Sequence, residues 1–178
     1  RPSFDPNHAD SYQTSDLRNR AITDPYEPGS TLKTIVASAA LEEGLVTPDE
    51  LIYCENGSFN VGGRVLHDHE KHGFLPFKDV IKVSSNIGMA KVGMRLGEER
   101  LYKYIRALGL GEKTEIGLSG ESIGIVREPG TWTVGSLPSI SIGQEVAATP
   151  IQLITAVAAI ANGGWLMRPH LVDEIRDQ

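Results

Sequence analysis

The chain has 178 residues, of which 40% are hydrophobic, so it can bury one sizeable core, and its length favours a single domain. Its formal net charge of -6 argues against binding to nucleic acid or to an anionic membrane surface. A single cysteine, Cys54, excludes an internal disulfide and a cysteine-based metal site, and we expect it to be a small buried hydrophobic residue. The longest apolar run, over 151–161, is shorter than the roughly 20 residues that a membrane span needs, so we expect no membrane segment in this sequence.

The first strong pattern is a helix that begins after the turn Pro28-Gly29. Apolar residues recur at helical spacing from Leu32 until Gly44 ends the run, which predicts a helix buried on nearly all sides. Lys33 is the one charged side chain between residues 30 and 41. Because residues three apart share a helix face, we expect Ser30 and Lys33 to lie together at the start of this helix.

Ser30 has two interpretations. Serine after a Pro-Gly turn is commonly an N-cap, but a capping box has Glu or Gln three residues on, and a cation is unfavourable at the positive end of a helix dipole. Lys33 violates this local rule, as residues of functional sites often do. An amine whose pKa is lowered by apolar surroundings can take the proton of a neighbouring hydroxyl, while the helix N-terminus stabilises negative charge. This second interpretation predicts a serine nucleophile for acyl transfer.

The next part of the chain predicts short strands and a histidine-rich loop. Residues 51–54 form a strand candidate, and residues 57–63, with Gly62-Gly63, indicate a hairpin or an extended loop. Three histidines follow within six residues: His67, His69 and His72. Two of them could share a strand face and bind a metal, but no second cluster completes the site. The charged neighbours favour a solvated loop without a metal site: Asp68, Glu70 and Lys71.

A second polar group interrupts a helical region. Residues 77–83 and 87–94 both follow helical patterns, and Ser84-Ser85-Asn86 lies between them. One interpretation is a junction between two helices that contains N-cap residues. In the other, Ser84 and Asn86 supply a hydroxyl and an amide, two positions apart, that can relay a proton and hold a substrate carbonyl or amide.

The remaining patterns complete a mainly helical chain. We predict a short helix over 16–21, a helix over 98–108, a helix over 151–161 capped by Thr149-Pro150, and a short strand over 171–175. Trp132 is expected to contribute to packing. Four glutamates lie in a glycine-rich stretch without apolar surroundings to raise a pKa, so we interpret them as solvated: Glu112, Glu115, Glu121 and Glu128.

Five motifs, in this order and at this approximate spacing, resemble those of class B penicillin-binding proteins. They are Glu27-Pro28-Gly29-Ser30-Thr31-Leu32-Lys33, Ser84-Ser85-Asn86-Ile87-Gly88, Gly109-Leu110-Gly111, Gly117-Leu118-Ser119-Gly120-Glu121, and Ser141-Ile142-Gly143-Gln144 with Thr149-Pro150-Ile151-Gln152-Leu153. Over nearly its whole length the chain resembles part of their D,D-transpeptidase domain. The Ser-Ser-Asn and Gly-Leu-Gly forms resemble the division-type enzymes, which cross-link septal peptidoglycan, more than the elongation type.

The resemblance implies a role for each motif residue. Ser30 would be the nucleophile that is acylated by a D-Ala-D-Ala stem peptide or by a β-lactam, and Lys33 the base that activates it. Ser84 would relay the proton to the leaving amine, and Asn86 would bind the substrate amide and position Lys33. The backbone N–H of Ser30 would supply half of the oxyanion hole. No cofactor and no metal are implied.

The resemblance also implies a fold and a setting. The fold would be the α+β penicillin-binding/serine β-lactamase-like transpeptidase fold, and residues 1–178 would be its helical portion within one partial domain. We therefore expect a mainly α structure that lacks most of the central antiparallel sheet. Implied partners are peptidoglycan stem peptides, β-lactam antibiotics and proteins of cell division or cell-wall synthesis, with no nucleic acid. The implied location is the extracytoplasmic or periplasmic face of the cell envelope, with an anchor in the inner membrane before this sequence.

Two departures from the family pattern stand out. Glu145 occupies a position where these proteins commonly carry Gly. The family's third motif, Lys-Thr-Gly on a sheet strand, would follow Gln178, and its first sheet strands would precede Arg1. That third motif supplies a cation for the substrate carboxylate and the other oxyanion donor. Since one oxyanion donor alone is worth about 10²- to 10³-fold in rate, we expect the chain by itself to be impaired or inactive.

Three alternatives share much of this pattern. A D,D-carboxypeptidase would differ only in using water as the acceptor. A β-lactamase or β-lactam sensor would need a deacylating base, and Glu121, in Gly120-Glu121-Ser122, lacks the Asn partner of such a base. The chain could instead be a non-catalytic interaction module of the cell envelope, in which Ser30 is only a cap.

Overall fold

The computed structural model describes residues 5–13 and 15–176 of the chain. Within these residues the main elements are helices: α1 (Arg20–Thr23), α2 (Lys33–Glu42), α3 (Phe77–Lys82), α4 (Asn86–Leu96), α5 (Glu98–Ala107), α6 (Ser136–Ser141) and α7 (Pro150–Ala161). Short 3-10 helices lie at Pro6–Ser11, Gly29–Leu32, Glu55–Gly57 and Pro129–Thr131. The prediction of a mainly α structure is confirmed.

The strands form two small antiparallel sheets in the described residues. Strand β1 (Leu51–Tyr53) pairs with β4 (Phe74–Pro76), and β2 (Ser58–Val61) pairs with β3 (Arg64–His67). The predicted hairpin is confirmed, because Gly62 and Gly63 join β2 to β3 with φ angles of 60° and 78°. Two consecutive residues with positive φ are what the tight turn of a two-residue hairpin requires.

Helix α2 lies at the centre of the core. It packs against α4, α5 and α7, and buries most of its apolar side chains, as its all-round apolar pattern predicts: Ile35, Val36, Ala37, Ala39 and Ala40. Helix α4 also packs closely on α6, where a Cβ added to Gly93 would lie 1.8 Å from the Ser141 hydroxyl oxygen. This packing fixes the start of α2 relative to the start of α4, which is where the site residues lie.

Three smaller predictions, on the burial of Cys54, the packing of Trp132 and the cap of α7, are confirmed. Cys54 is fully buried, and Trp132 is half-buried against the core. Thr149 caps α7 and forms a capping box with Gln152, with Pro150 at the first helical position. Among the helices of residues 5–13 and 15–176, none combines the length and the apolar character of a membrane span.

Two predictions about elements need correction, and one helix was not predicted. The helix predicted over 16–21 instead spans Arg20–Thr23, because the Asn19 side chain accepts a hydrogen bond from the Ala21 N–H and caps the helix there. Residues 171–175 form no strand, since they have no backbone pairing partner in the described part of the chain and their apolar side chains are exposed. Helix α6 was not predicted, because its run of serines and a proline shows no helical apolar period.

Candidate active site

Ser30 and Lys33 occupy the first turn of the central helical segment. Ser30 lies in the 3-10 turn Gly29–Leu32 and is exposed, whereas Lys33 is the first residue of α2 and is only 3% exposed. The Gly29 N–H donates to the Gly143 carbonyl at 3.0 Å, which ties this turn to the loop after α6. The Ser30 side of this turn is therefore open to solvent, whereas the Lys33 side chain is buried.

All three hydrogen-bond positions of the Lys33 ammonium are occupied by the junction between α3 and α4. Nζ donates to the Ser84 carbonyl at 2.6 Å, to the Ser84 hydroxyl at 3.0 Å and to the Asn86 side-chain oxygen at 2.8 Å. An ammonium has three donors, so this geometry satisfies it completely. The serine and the amide of the Ser-Ser-Asn motif thus converge on the lysine from 51 and 53 residues away.

Ser30 joins this group through Ser84. The Ser84 hydroxyl donates to the Ser30 hydroxyl oxygen at 2.9 Å, and the same Ser84 oxygen accepts from Lys33. Hydrogen bonds therefore connect Lys33 to Ser30 by way of Ser84. All four residues that the sequence singled out, Ser30, Lys33, Ser84 and Asn86, lie in one hydrogen-bonded group.

Burial changes the acid–base character of Lys33. Desolvation lowers the pKa of Lys33 from 10.5 to about 8, and the negative charge of Asp68 opposes part of that decrease. With a pKa of about 8, roughly one Lys33 in ten is a neutral amine at pH 7, compared with fewer than one in a thousand for an ordinary lysine. A neutral amine has a lone pair that can accept a proton from a hydroxyl.

The capping interpretation of Ser30 has no support in the local geometry. The 3-10 turn and α2 both begin without a hydrogen bond from a capping side chain. By contrast, Ser85 does cap α4, because its hydroxyl accepts from the Gly88 N–H at 2.9 Å. In the Ser-Ser-Asn motif the middle residue, Ser85, therefore caps the start of α4. The other two residues, Ser84 and Asn86, contact Lys33.

The backbone of Ser84 is strained. Its φ is +57°, in the left-handed region that residues other than Gly, Asn and Asp seldom adopt. This conformation accompanies the contacts of both its carbonyl and its hydroxyl with Lys33. Strain of this kind persists only where the surroundings over-determine it, and it concentrates at functional sites.

Asp68 belongs to this group, although the sequence indicated a solvated loop. Its Oδ1 accepts from the Asn86 N–H at 2.6 Å and from the Ile87 N–H at 3.0 Å, and its Oδ2 accepts from the Ser85 hydroxyl at 2.6 Å. The adjacent His67 carbonyl accepts from the Asn86 side-chain amide at 2.9 Å. No local spacing pointed to Asp68; the signal available was an acidic residue directly after a strand that precedes the Ser-Ser-Asn motif.

Glu145 has a defined structural place beside the Gly29–Leu32 turn that carries Ser30. Its φ of +61° explains why a glycine would suit this position. Its N–H donates to a carboxylate oxygen of Glu27 at 2.9 Å, and its own carboxylate accepts from Arg127 at 2.6 Å and from the Ser136 hydroxyl at 2.8 Å. These contacts hold the loop after α6 against the segment that leads to Ser30.

Glu121 is not simply solvated, which corrects its interpretation. It is half-buried, and its carboxylate accepts hydrogen bonds from the backbone N–H groups of Thr114 and Glu115, so it organises a loop.

In the described part of the chain, no three His, Cys, Asp or Glu side chains are grouped so that they could hold a metal ion.

Comparison with known proteins gives one consistent family. The whole chain, residues 1–178, matches the family described as "Penicillin binding protein transpeptidase domain". It is 38% identical to penicillin-binding protein PbpB of Mycobacterium tuberculosis and 30% identical to peptidoglycan D,D-transpeptidase FtsI of Escherichia coli strain K12. These matches cover 96% and 98% of the chain but only 25% and 29% of the two relatives. The chain thus spans about a quarter of the length of these curated relatives.

The fold matches solved structures equally well. The crystal structure of penicillin-binding protein 3 from Mycobacterium tuberculosis, complexed with aztreonam, superimposes with a TM-score of 0.88 at 38% identity. That match covers 95% of this chain and 38% of the other. The small sheets and the dominant helices described above are therefore those of a fragment of that larger fold, as the sequence predicted.

Proposed function

The chain belongs to the family of penicillin-binding protein transpeptidase domains, and we propose that the protein carrying it is a D,D-transpeptidase that cross-links peptidoglycan stem peptides. One observation carries the proposal: an exposed serine is linked through a second serine to a buried lysine with a lowered pKa. A capping serine in a binding module needs neither the buried amine nor the strained Ser84 beside it.

The first half-reaction forms an acyl-enzyme. The Ser30 oxygen attacks the carbonyl carbon between the two terminal D-alanines of a stem peptide, while its proton passes through the Ser84 hydroxyl to neutral Lys33. The tetrahedral intermediate then collapses, the C–N bond breaks, and the same proton returns through Ser84 to the departing D-Ala amine. An ester between Ser30 and the donor peptide remains.

The second half-reaction transfers the acyl group. The amine of a second stem peptide attacks the ester carbonyl, loses a proton to the same Ser84 and Lys33 pair, and displaces the Ser30 oxygen, which recovers a proton. Asn86 accepts from Lys33 and receives support from His67 and Asp68, so its amide is held in place to contact the substrate backbone. The Ser30 N–H would stabilise the oxyanion in each half-reaction.

The extent of the domain and its setting belong to the same proposal. Residues 1–178 form the helical part of a transpeptidase domain whose sheet, with the Lys-Thr-Gly strand, is supplied by the rest of the protein. Support comes from the match to less than half of the penicillin-binding protein 3 chain. The substrate is part of the cell wall, so the protein acts at the extracytoplasmic face of the cell envelope beside other wall-synthesis proteins, and the Ser-Ser-Asn form favours a role in division.

Binding of β-lactams follows from the same chemistry. The related penicillin-binding protein 3 has been crystallised with aztreonam and with ampicillin, both of which contain a strained cyclic amide. Attack by Ser30 on that amide would break its C–N bond and open the ring. The whole drug would remain attached as an ester, because the displaced nitrogen stays bonded to the acyl group through the other ring atoms.

The proposal is tested with the full-length protein that carries this chain and a donor stem peptide ending in D-Ala-D-Ala, together with an amine acceptor. We expect release of one D-Ala for each cross-linked dimer, and loss of both products in Ser30→Ala. Ser38→Ala is the matched control, since Ser38 lies on the same helix and donates only to the Ile35 carbonyl.

Three other results would each contradict the proposal in a different way. D-Ala release without dimers would identify a carboxypeptidase. Repeated hydrolysis of penicillin would identify a β-lactamase. Dimer formation that survives Ser30→Ala would show that Ser30 is not the nucleophile.

A further inference from the structure

We propose that Asp68 is a positioning residue of this site, which holds the Ser84–Asn86 segment against Lys33 and balances the charge of the Lys33 ammonium. The inference rests on the proposed function, because it assigns Asp68 a part in the acylation of Ser30. Asp68 comes from the loop between β3 and β4, so it belongs to neither of the helices that carry the other site residues.

Asp68 satisfies the start of α4 from outside that helix. The first N–H groups of an α-helix have no partner within the helix. Asp68 Oδ1 accepts from two of them, those of Asn86 and Ile87, while the Ser85 hydroxyl oxygen accepts from the Gly88 N–H. A carboxylate at this position also interacts favourably with the positive end of the helix dipole. One side chain therefore fixes both the direction of α4 and the backbone of Asn86.

The second carboxylate oxygen fixes the residue between Ser84 and Asn86. The Ser85 hydroxyl donates to Asp68 Oδ2, and Ser85 itself is only 2% exposed. The same Ser85 hydroxyl oxygen accepts a hydrogen bond from the Gly88 N–H through a lone pair. Asp68 therefore holds Ser85 and the Asn86 N–H on one side of this three-residue segment. The Ser84 carbonyl, the Ser84 hydroxyl and the Asn86 side-chain oxygen contact Lys33.

Asp68 also acts on Lys33 through its charge. Its negative charge raises the pKa of Lys33 and so opposes the larger effect of burial. The groups that contact Lys33 from the α3–α4 junction are the uncharged oxygens of Ser84 and Asn86. Asp68 is thus the charged group that stabilises the ammonium, which is the form that must hand a proton to the leaving group.

Other titratable groups surround Asp68 rather than Lys33. His69, Glu70 and His72 line the same surface groove as Asp68. The Cys54 thiol lies beneath Ser85, 3.5 Å from its hydroxyl, and burial raises the pKa of that thiol. Glu70, two residues after Asp68, is exposed, and its carboxylate lies 3.9 Å from the His72 ring. Because this carboxylate contacts none of the four site residues, Glu70 is a suitable control position.

The test compares three variants of the full-length protein: Asp68→Asn, Asp68→Ala and the control Glu70→Gln. Asn keeps an oxygen for the two N–H groups of α4 but removes the charge, whereas Ala removes both. The rate of acylation by a penicillin is measured from pH 6 to pH 10. For the wild type we expect the rate to rise through a midpoint near the Lys33 pKa of about 8.

We expect Asp68→Ala to acylate about 10- to 100-fold more slowly, because misplacing a reacting group by about 1 Å can cost about 10²-fold in rate. Asp68→Asn should retain more of the rate but shift the pH midpoint downward by about 1 unit, because an opposite charge favours the charged form of its neighbour. Glu70→Gln should match the wild type in both respects. A change that merely loosens the fold would lower the rate and the melting temperature without moving the midpoint.

A second measurement separates failure of this inference from failure of the proposed function. The pKa of Lys33 is followed by NMR of protein labelled with ¹³C at the lysine Cε, and the resonance is assigned by its absence in Lys33→Arg. This titration does not depend on acylation. A wild type that forms no adduct would contradict the proposed function, whereas a Lys33 pKa that is the same in Asp68→Asn and in the wild type would overturn the role of Asp68.

Discussion

Helices α2 and α7 are both mainly apolar in sequence but have very different surroundings. On α2, Ile35 is 1% exposed, and even the charged Lys33 is buried with three hydrogen bonds. On α7, Leu153 and Ala156 face the core, but Ile154 is 61% exposed and the neighbouring turns of the same face are also open. The segment after α7 extends this open surface with further apolar side chains: Trp165, Met167, Leu171, Val172 and Ile175.

The difference shows which of the two helices is enclosed by the described residues of this chain. Ser30, Lys33, Ser84 and Asn86 are held together by hydrogen bonds within the described residues, and α2 is enclosed by α4, α5 and α7. The outer face of α7 has no covering element in residues 5–13 and 15–176. A helix that is apolar on all sides is normally buried on all sides, so α2 behaves as its sequence predicts and α7 does so on one face only.

The largest effect in this comparison should come from the centre of the enclosed region. In the full-length protein, Lys33→Met should slow acylation by a penicillin about 10³- to 10⁴-fold, because it removes the proton acceptor and leaves three oxygens around an apolar side chain. Stopped-flow acylation rates measure this. Lys82→Met is the control, since Lys82 is exposed at the end of α3. Equal rates in the two variants would remove Lys33 from the mechanism.

A matched pair of isoleucines measures the contrast between the two helices directly. In the 178-residue chain, Ile35→Ala should lower the free energy of unfolding by about 2 to 5 kcal/mol, because it leaves a cavity around a residue that is 1% exposed. Ile154→Ala should change it by less than about 0.5 kcal/mol, because Ile154 is 61% exposed. Urea unfolding curves give both values. Similar losses in the two variants would mean that the outer face of α7 is buried after all.

A pair of glycines tests the contact between the loop after α6 and the turn that carries Ser30. An added Cβ on Gly143 would lie 2.0 Å from the Gly29 carbonyl oxygen, whereas one on Gly163, after α7, would meet nothing within 4 Å. Both glycines have positive φ, 82° and 89°, so the backbone strain is matched. Gly143→Ala should cost about 2 to 4 kcal/mol of unfolding free energy, and Gly163→Ala about 1 to 2 kcal/mol.

The same pair should also differ in acylation rate. Only Gly143→Ala should slow acylation of Ser30, because only that change displaces the Gly29–Leu32 turn that carries Ser30. Circular dichroism and the acylation assay give the two readouts. The comparison between the regions fails if Gly163→Ala slows acylation as much as Gly143→Ala does.

The sequence predicted the site where its residues follow from local geometry or from the motif resemblance. Ser30 and Lys33 are three apart at a helix start, so their proximity is a property of the helix itself. Ser84 and Asn86 were identified by the resemblance and by the short junction that contains them, and the structure brings all four residues together.

Asp68 could not be found in the same way. It meets Asn86 across 18 residues that include strand β4 and helix α3, and its neighbours are charged, which is typical of a solvated loop. The prediction of a strand over 171–175 was wrong for a related reason. A segment with apolar residues forms a strand only when another strand offers its backbone, and no strand pairs with residues 171–175 in the described part of the chain. In both cases the deciding contact is distant in sequence.

The most direct test of the central claim is the intact mass of the full-length protein after incubation with a penicillin, beside the Ser30→Ala variant. The account predicts one adduct with the mass of the drug on the wild type, mapped to the peptide that contains Ser30, and none on Ser30→Ala. An adduct of equal yield on Ser30→Ala, or none on the folded wild-type protein, would contradict the assignment of Ser30 as a nucleophile activated by Lys33.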